Sequence, residues 1–311
     1  MCGLAGFFDK TGRGDVPVGK IMIRMLEALG RRGPDSAGVA LYGAGKTNDL
    51  VLRVKLGEHG DFGEKGLRLA ERIKSIAPVR EVETVGEYLR IRLAWQQSVR
   101  DLERRIEALA NGIEVVSLGK QLEIIKQVGT PDELNRTYGI DSFLGLHAIG
   151  HTRMSTESRV DLSHSQPFWA HGIADLASVH NGHITNYHKM RRQYEQRGIR
   201  FYTENDSEII GVYLADQMSG GSSLSEALDS SLKDFDGSFC YLAASENTLA
   251  IAKDRFAYKP LVIGETEEFV AIATEEIAIR EAFPDQDIPT REAPANYSRT
   301  WNVPSPVAAS R

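Results

Sequence analysis

A cysteine directly after the initiator methionine has a chemical option that cysteines elsewhere lack. Met1 is removed by methionine aminopeptidases when the next side chain is small, and removal would leave Cys2 with both a thiol and a free α-amino group. An unperturbed thiol titrates near about 8.5 and an α-amine near about 7.7–8.0. One residue then supplies a nucleophile and, close to neutral pH, the base that activates it. Cleaving an amide with that thiolate also needs donors aimed at the tetrahedral oxyanion. An amino-acid substrate further asks for an arginine on its carboxylate and a carboxylate on its ammonium. The chain offers Asn181 and Gly182 as donors, Arg153 for the carboxylate and Asp206 for the ammonium. All these residue types occur in ordinary proteins, and an incidental cysteine beside an edge strand is the plain alternative.

The elements around these residues follow from periodicity. Residues 2–8 read as a strand, and Val18, Ile21, Met22, Met25, Leu26 and Leu29 fall on one helical face, with Gly30 as a stop. Gly33-Pro34 punctuates a turn that holds Arg32 and Asp35 between this helix and a strand at Val39–Tyr42. From Gly57 the chain turns charge-rich, and Ile91, Trp95, Val99, Leu102, Ile106 and Leu109 predict one long amphipathic helix. Short strands are expected within 113–128 and a helix from Pro131. Strands end at Arg153 and at Gly182, where Asn181-Gly182 also reads as a hairpin turn. Helices are expected at Tyr187–Arg197 and Ser207–Met218, and strands at Ser238–Ala244, Leu249–Lys253, Leu261–Ile263 and Phe269–Ala273. Little strict alternation favours α+β over a doubly wound sheet. The proline-rich end reads as a surface-wrapping or frayed tail.

Composition narrows the class. With 311 residues, 41% hydrophobic and 26% charged, the chain reads as a globular protein of one large or two smaller domains. A net charge of −6 argues against nucleic acid as a partner. No run approaches the length of a membrane span, and the opening lacks the form of a signal peptide, so a cytoplasmic location is expected. Cys2 and Cys240 form neither a disulfide framework nor a metal-ligand pattern, and Cys240 reads as a buried small hydrophobe.

Seven strings in order connect the candidates: Cys2–Gly6, Arg32–Gly38, Gly150–Arg153, His180–Asn186, Thr203–Glu208, Asp236–Phe239, and Asp254–Phe256 before Lys259-Pro260-Leu261. Together they resemble the class II glutamine amidotransferases, whose nucleophile is an N-terminal cysteine. The resemblance implies an α+β fold, a four-layer αββα sandwich of the N-terminal-nucleophile hydrolase type. It implies an amidotransferase domain over 1–283, with a partly helical insertion at about 57–140, and a tail over 284–311. Cys2 would form a γ-glutamyl thioester, its amine handling the proton, with the Asn181 side chain and Gly182 N–H holding the oxyanion. Arg153 and Asp206 would bind the α-carboxylate and α-amino group, with Arg32 as a supporting charge beside the nucleophile. Gln166, before Pro167, stays a loop position of open weight. His151, His180 and His183 lie inside the strings and are read as structural.

The strings end near residue 276, so the site that consumes the ammonia is expected on another polypeptide. The segment before Gly150, including Gly119–Ile124, together with Thr156–Ser158, resembles the stand-alone amidotransferase subunits of split glutamate synthase and N-methylglutamate synthase. That resemblance implies two partner chains: an FMN and iron–sulfur synthase subunit, and a glycine-rich β-helix subunit. No cofactor or metal is expected in this chain. Two rivals stand beside it: an N-terminal-cysteine hydrolase of another acyl amide, and a regulatory scaffold with a vestigial site.

Overall fold

The computed structural model describes residues 2–45, 48–155 and 159–304. In chain order the elements begin with β1 (Gly3–Asp9), α1 (Val18–Leu29), β2 (Ser36–Tyr42), β3 (Leu50–Lys55), α2 (Phe62–Lys74), β4 (Val79–Val85), β5 (Tyr88–Leu93) and α3 (Val99–Glu107). Next come β6 (Glu114–Gly119), β7 (Leu122–Val128), α4 (Pro131–Tyr138), β8 (His147–Arg153), β9 (Phe168–Trp169), β10 (Ala177–Ile184), α5 (Tyr187–Gln196) and α6 (Glu208–Ser219). The chain closes with α7 (Leu224–Asp234), β11 (Gly237–Ser245), β12 (Thr248–Lys253), β13 (Val262–Glu265), β14 (Phe269–Ala273), α8 (Glu276–Ala282), β15 (Thr290–Glu292) and β16 (Tyr297–Asn302).

Two antiparallel sheets form the centre, one in the order β15-β13-β14-β1-β8-β2-β7 and the other β16-β12-β11-β10-β9. Apolar residues of both sheets, among them Leu4, Val39, Ile149, Val179, Leu242 and Ile251, share one core. Helices α1, α4 and α8 pack on the first sheet and α5–α7 on the second, which gives the expected four-layer αββα sandwich. The α1 face expected from spacing is buried in full. Gly30 does not break that helix through a left-handed conformation; its φ of −57° continues the turn. The reversal falls at Gly33, where a Cβ would sit 2.4 Å from the backbone of Thr152.

A third sheet, β4-β5-β3-β6, carries α2 and α3. It corrects two expectations. The helix over 91–109 does not form, because Tyr88–Leu93 alternates with period two, burying Leu89, Ile91 and Leu93 in β5. Only Val99–Glu107 is helical. The segment 57–140 does not coincide with this layer either: β3 belongs to it, whereas β7 joins the first sandwich sheet and α4 packs beside α1. A buried carboxylate ties the layers together, Glu123 of β7 receiving Arg53 of β3 at 2.7 Å and Arg90 of β5 at 2.8 Å. The tail is corrected as well, since β15 and β16 are edge strands of the two sandwich sheets. Among the described residues no helix is long and apolar enough to cross a membrane.

Candidate active site

Cys2 precedes the central strand β1, whose Gly3 pairs with Thr152 of β8. That register brings the end of β8, and with it Arg153, beside the cysteine. The half-buried Sγ receives the Met154 N–H at 3.4 Å. From the facing sheet, Asn181 Nδ2 donates to the Cys2 carbonyl at 3.0 Å. A primary amide has a second N–H to offer, so Asn181 can fix the nucleophile and meet an oxyanion together. These groups open onto a cleft of about 1030 Å³, whose walls include Cys2, Arg153, Asn181, Gly182 and Asp206.

Gly182 does not form a hairpin turn: β10 runs through it to Ile184, paired with β11 at Phe239. Its φ of +124° and the 2.1 Å from a built Cβ to the Ser238 carbonyl show why only glycine fits. Strand β9 pairs with Ala177 and Ser178, leaving the edge of β10 beyond them without a neighbouring strand. Side chains take its place. The buried Gln166 amide receives His180 N–H at 2.6 Å and donates to His180 O at 3.2 Å. Ile184 N–H goes to Asp206 Oδ2 at 2.9 Å. By the two-residue period of a strand, the Gly182 N–H lies in this row, between those two, on the cleft side.

Arg153 is 4% exposed and donates to the Arg159 carbonyl at 2.9 Å. Burial lowers its guanidinium from the ordinary value, against the nearby Cys2, Asp161 and Asp35. Asp206 sits on the loop before α6, its Oδ1 3.8 Å from His180 Nδ1. Arg32 occupies a different position from the others. It donates to the Cys2 carbonyl at 3.3 Å, pairs with Glu275, and lines a second cleft with Arg24 and Arg31 instead of the cleft in front of the sulfur.

Of the histidines in the strings, His151 and His180 are buried, whereas His183 is exposed on the cleft wall. Burial pushes His151 down to about 3 and lowers His180, whose Nδ1 lies 2.8 Å from Ser207 Oγ. Cys240 is fully buried and its thiol is pushed up to about 12. Gln166 and Glu208 are the contributors the sequence reading undervalued. Glu208 accepts from Tyr202 N–H, Thr203 N–H and Thr203 Oγ at 2.7–2.9 Å, shaping the loop that carries Asp206. Its signal lay in the Asp206-Ser207-Glu208 string. Thr156–Ser158 and Met1 lie outside the described residues. Among the described residues no group of three or more His, Cys, Asp or Glu is placed to hold a metal.

The family model for a glutamine amidotransferase domain matches residues 151–281. A Methanothermobacter thermautotrophicus protein, provisionally named a glutamine amidotransferase, is 38% identical over 93% of this chain and 96% of its own length. The glutamine amidotransferase-like protein GlxB of Rhizobium meliloti is 33% identical over 88% and 89%. Among solved structures, glutamine phosphoribosylpyrophosphate amidotransferase from B. subtilis shares the fold with a TM-score of 0.60 and 20% identity. That alignment covers 97% of this chain and 49% of the other, so the chain spans about half of that enzyme. The order of strings, the sandwich that brings them to one cleft, and relatives matched along nearly their whole length agree: this chain belongs to the class II glutamine amidotransferase family.

Proposed function

We propose that the protein hydrolyses the side-chain amide of glutamine and passes the ammonia to a separate synthase subunit. The observation that carries the first half is the convergence of Cys2 Sγ, Asn181, Gly182, Arg153 and Asp206 on one cleft. Arg153 takes the α-carboxylate and Asp206 the α-ammonium, which points the amide at the sulfur. The thiolate forms a C–S bond, and the oxyanion accepts from Asn181 Nδ2 and the Gly182 N–H. The C–N bond then breaks, the nitrogen leaving as ammonia with a proton from the Cys2 amine. Water cleaves the thioester to glutamate and the free thiol.

The second half rests on the resemblance of Gly119–Ile124 and the segment around it to the amidotransferase subunits of split glutamate synthase and N-methylglutamate synthase. On that reading the partners are an FMN and iron–sulfur synthase subunit and a glycine-rich β-helix subunit, and the assembly is cytoplasmic. Glutamine turnover that rises when such a synthase is added supports the partnership; turnover indifferent to it removes it.

The decisive test is mass spectrometry after exposure to a glutamine-mimicking electrophile, with an adduct expected on a Met-free Cys2. Arg153→Ala is expected to raise KM for glutamine by about 10- to 100-fold, the range for a lost charged hydrogen bond. A hydrolase of another acyl amide, or a scaffold with a vestigial site, predicts no such dependence.

A further inference from the structure

Tyr202 lines the glutamine cleft, yet its hydroxyl is held by the third sheet. It lies 3.0 Å from Glu103 Oε1 and 2.9 Å from Glu107 Oε2, both on α3. Its ring is gripped as well. His171 stacks on it at 4.0 Å and 15°, while His171 Nδ1 lies 2.6 Å from the same Glu103 oxygen. The Arg200 guanidinium sits over the Tyr202 ring at 4.5 Å and reaches Glu107 at 3.3 Å. Glu107 is anchored in turn by the Val115 N–H of β6 at 3.1 Å.

Such a convergence is costly to assemble. Glu103 is 6% exposed, and a carboxylate so placed needs partners to offset its lost hydration. One of its partners, Tyr202, lines the cleft, and the other, His171, stacks on the Tyr202 ring. From Tyr202 the path to the ammonium-binding carboxylate is short. Tyr202 and Thr203 N–H groups are fixed by Glu208, Asn205 N–H bonds Thr203 Oγ at 3.1 Å, and Asp206 follows.

We propose that α3 is part of the glutamine-binding apparatus: through Glu103 and Glu107 it fixes Tyr202 in the cleft wall and so sets the position of Asp206. The inference rests on the glutamine reading above. It makes Tyr202, Glu103 and Glu107 positioning residues. It also gives the third sheet a role, since a partner that shifts this layer alters affinity for glutamine and leaves the reaction at the sulfur unchanged.

The test uses the full chain with Tyr202→Phe and with the pair Glu103→Gln/Glu107→Gln. Three quantities are read: KM and kcat for glutamine, and the rate of Cys2 alkylation by iodoacetamide, which has neither α-carboxylate nor α-ammonium. KM is expected to rise about tenfold, the size of one lost positioning hydrogen bond, with kcat and alkylation within about twofold of wild type. Combining Tyr202→Phe with Asp206→Asn should give less than the product of the single effects, because both act through one contact. Unchanged KM in both variants, multiplicative combination, or a fall in kcat and alkylation alongside KM overturns the inference. Should the double glutamine variant fail to fold, Tyr202→Phe removes a single oxygen, keeps the stack and decides the matter. A wild type that neither turns over glutamine nor reacts with the glutamine mimic refutes the functional reading itself; active wild type with indifferent variants refutes only this step.

Discussion

Gly182 joins in one residue a strained strand geometry and the proposed oxyanion donor. Its backbone lies in the left-handed half of conformational space within a continuous strand, and a Cβ added to it would lie 2.1 Å from the Ser238 carbonyl. Gly182→Ala therefore has to shift β10 against β11, at a backbone cost of about 1–3 kcal/mol. The same shift re-aims the N–H assigned to the oxyanion, a loss of about 10²–10³ in kcat for donors of this kind. Glutamine turnover and a thermal melt measured together check both numbers, and a variant with wild-type kcat would remove Gly182 from the site. The loop residue Gln166 has a different task. Gln166 presents its amide to both backbone groups of His180, replacing a missing strand, so its work is to hold the edge from which Gly182 faces the cleft.

At the scale of elements, the link between the third sheet and the sandwich passes through Glu123. Burial alone would push this carboxyl up; the Arg53 and Arg90 guanidiniums outweigh it and hold it below the usual carboxylate range. A buried ion cluster contributes little net stability when whole, but removing one member leaves the others uncompensated. Glu123→Gln keeps the volume, strands Arg53 and leaves Arg90 with Glu81 at 3.5 Å, for a loss of about 3 kcal/mol. Urea denaturation reads this as a lowered midpoint, and an unchanged midpoint would show that the arginines find other partners. The capping of α4 illustrates the opposite case, where local chemistry suffices. Thr130 and Glu133 close a full capping box around Pro131, so that helix was readable from a few adjacent residues.

For the molecule as a whole, buried histidines weaken the fold in acid, opposed by Glu27, Glu87 and Glu107, whose carboxyls burial pushes up. Burial pushes His147 down to about 4 and His151 down to about 3, against about 6.5 in an unfolded chain. Below pH 6.5 the unfolded chain binds protons that the folded one refuses, so their contribution to stability is intact above that pH and declines as pH falls toward the folded values. At pH 5 each histidine costs about 2 kcal/mol. The carboxylates held low by partners, Glu123 and Asp161 among them, stay ionised through that window and do not produce the decline. Denaturation midpoints compared at pH 7.5 and pH 5 measure the effect; equal midpoints would mean that these imidazoles are hydrated or paired.

The sequence by itself singled out the candidates, one sulfur, one amide, one arginine and one carboxylate, each in a short string, and the fold brings them to one cleft. The sequence also determined α1, whose apolar residues keep one clean helical period. Tertiary structure alone decided the assignment of Ile91, since an alternating segment and a helical stripe share apolar positions until a neighbouring strand supplies hydrogen-bond partners. It decided that 290–302 closes both sheets, because a short polar strand is stabilised by the edge it joins and carries little pattern of its own. It placed Arg32 behind Cys2 and Tyr202 within reach of α3, since residues far apart in the chain meet only when the layers pack.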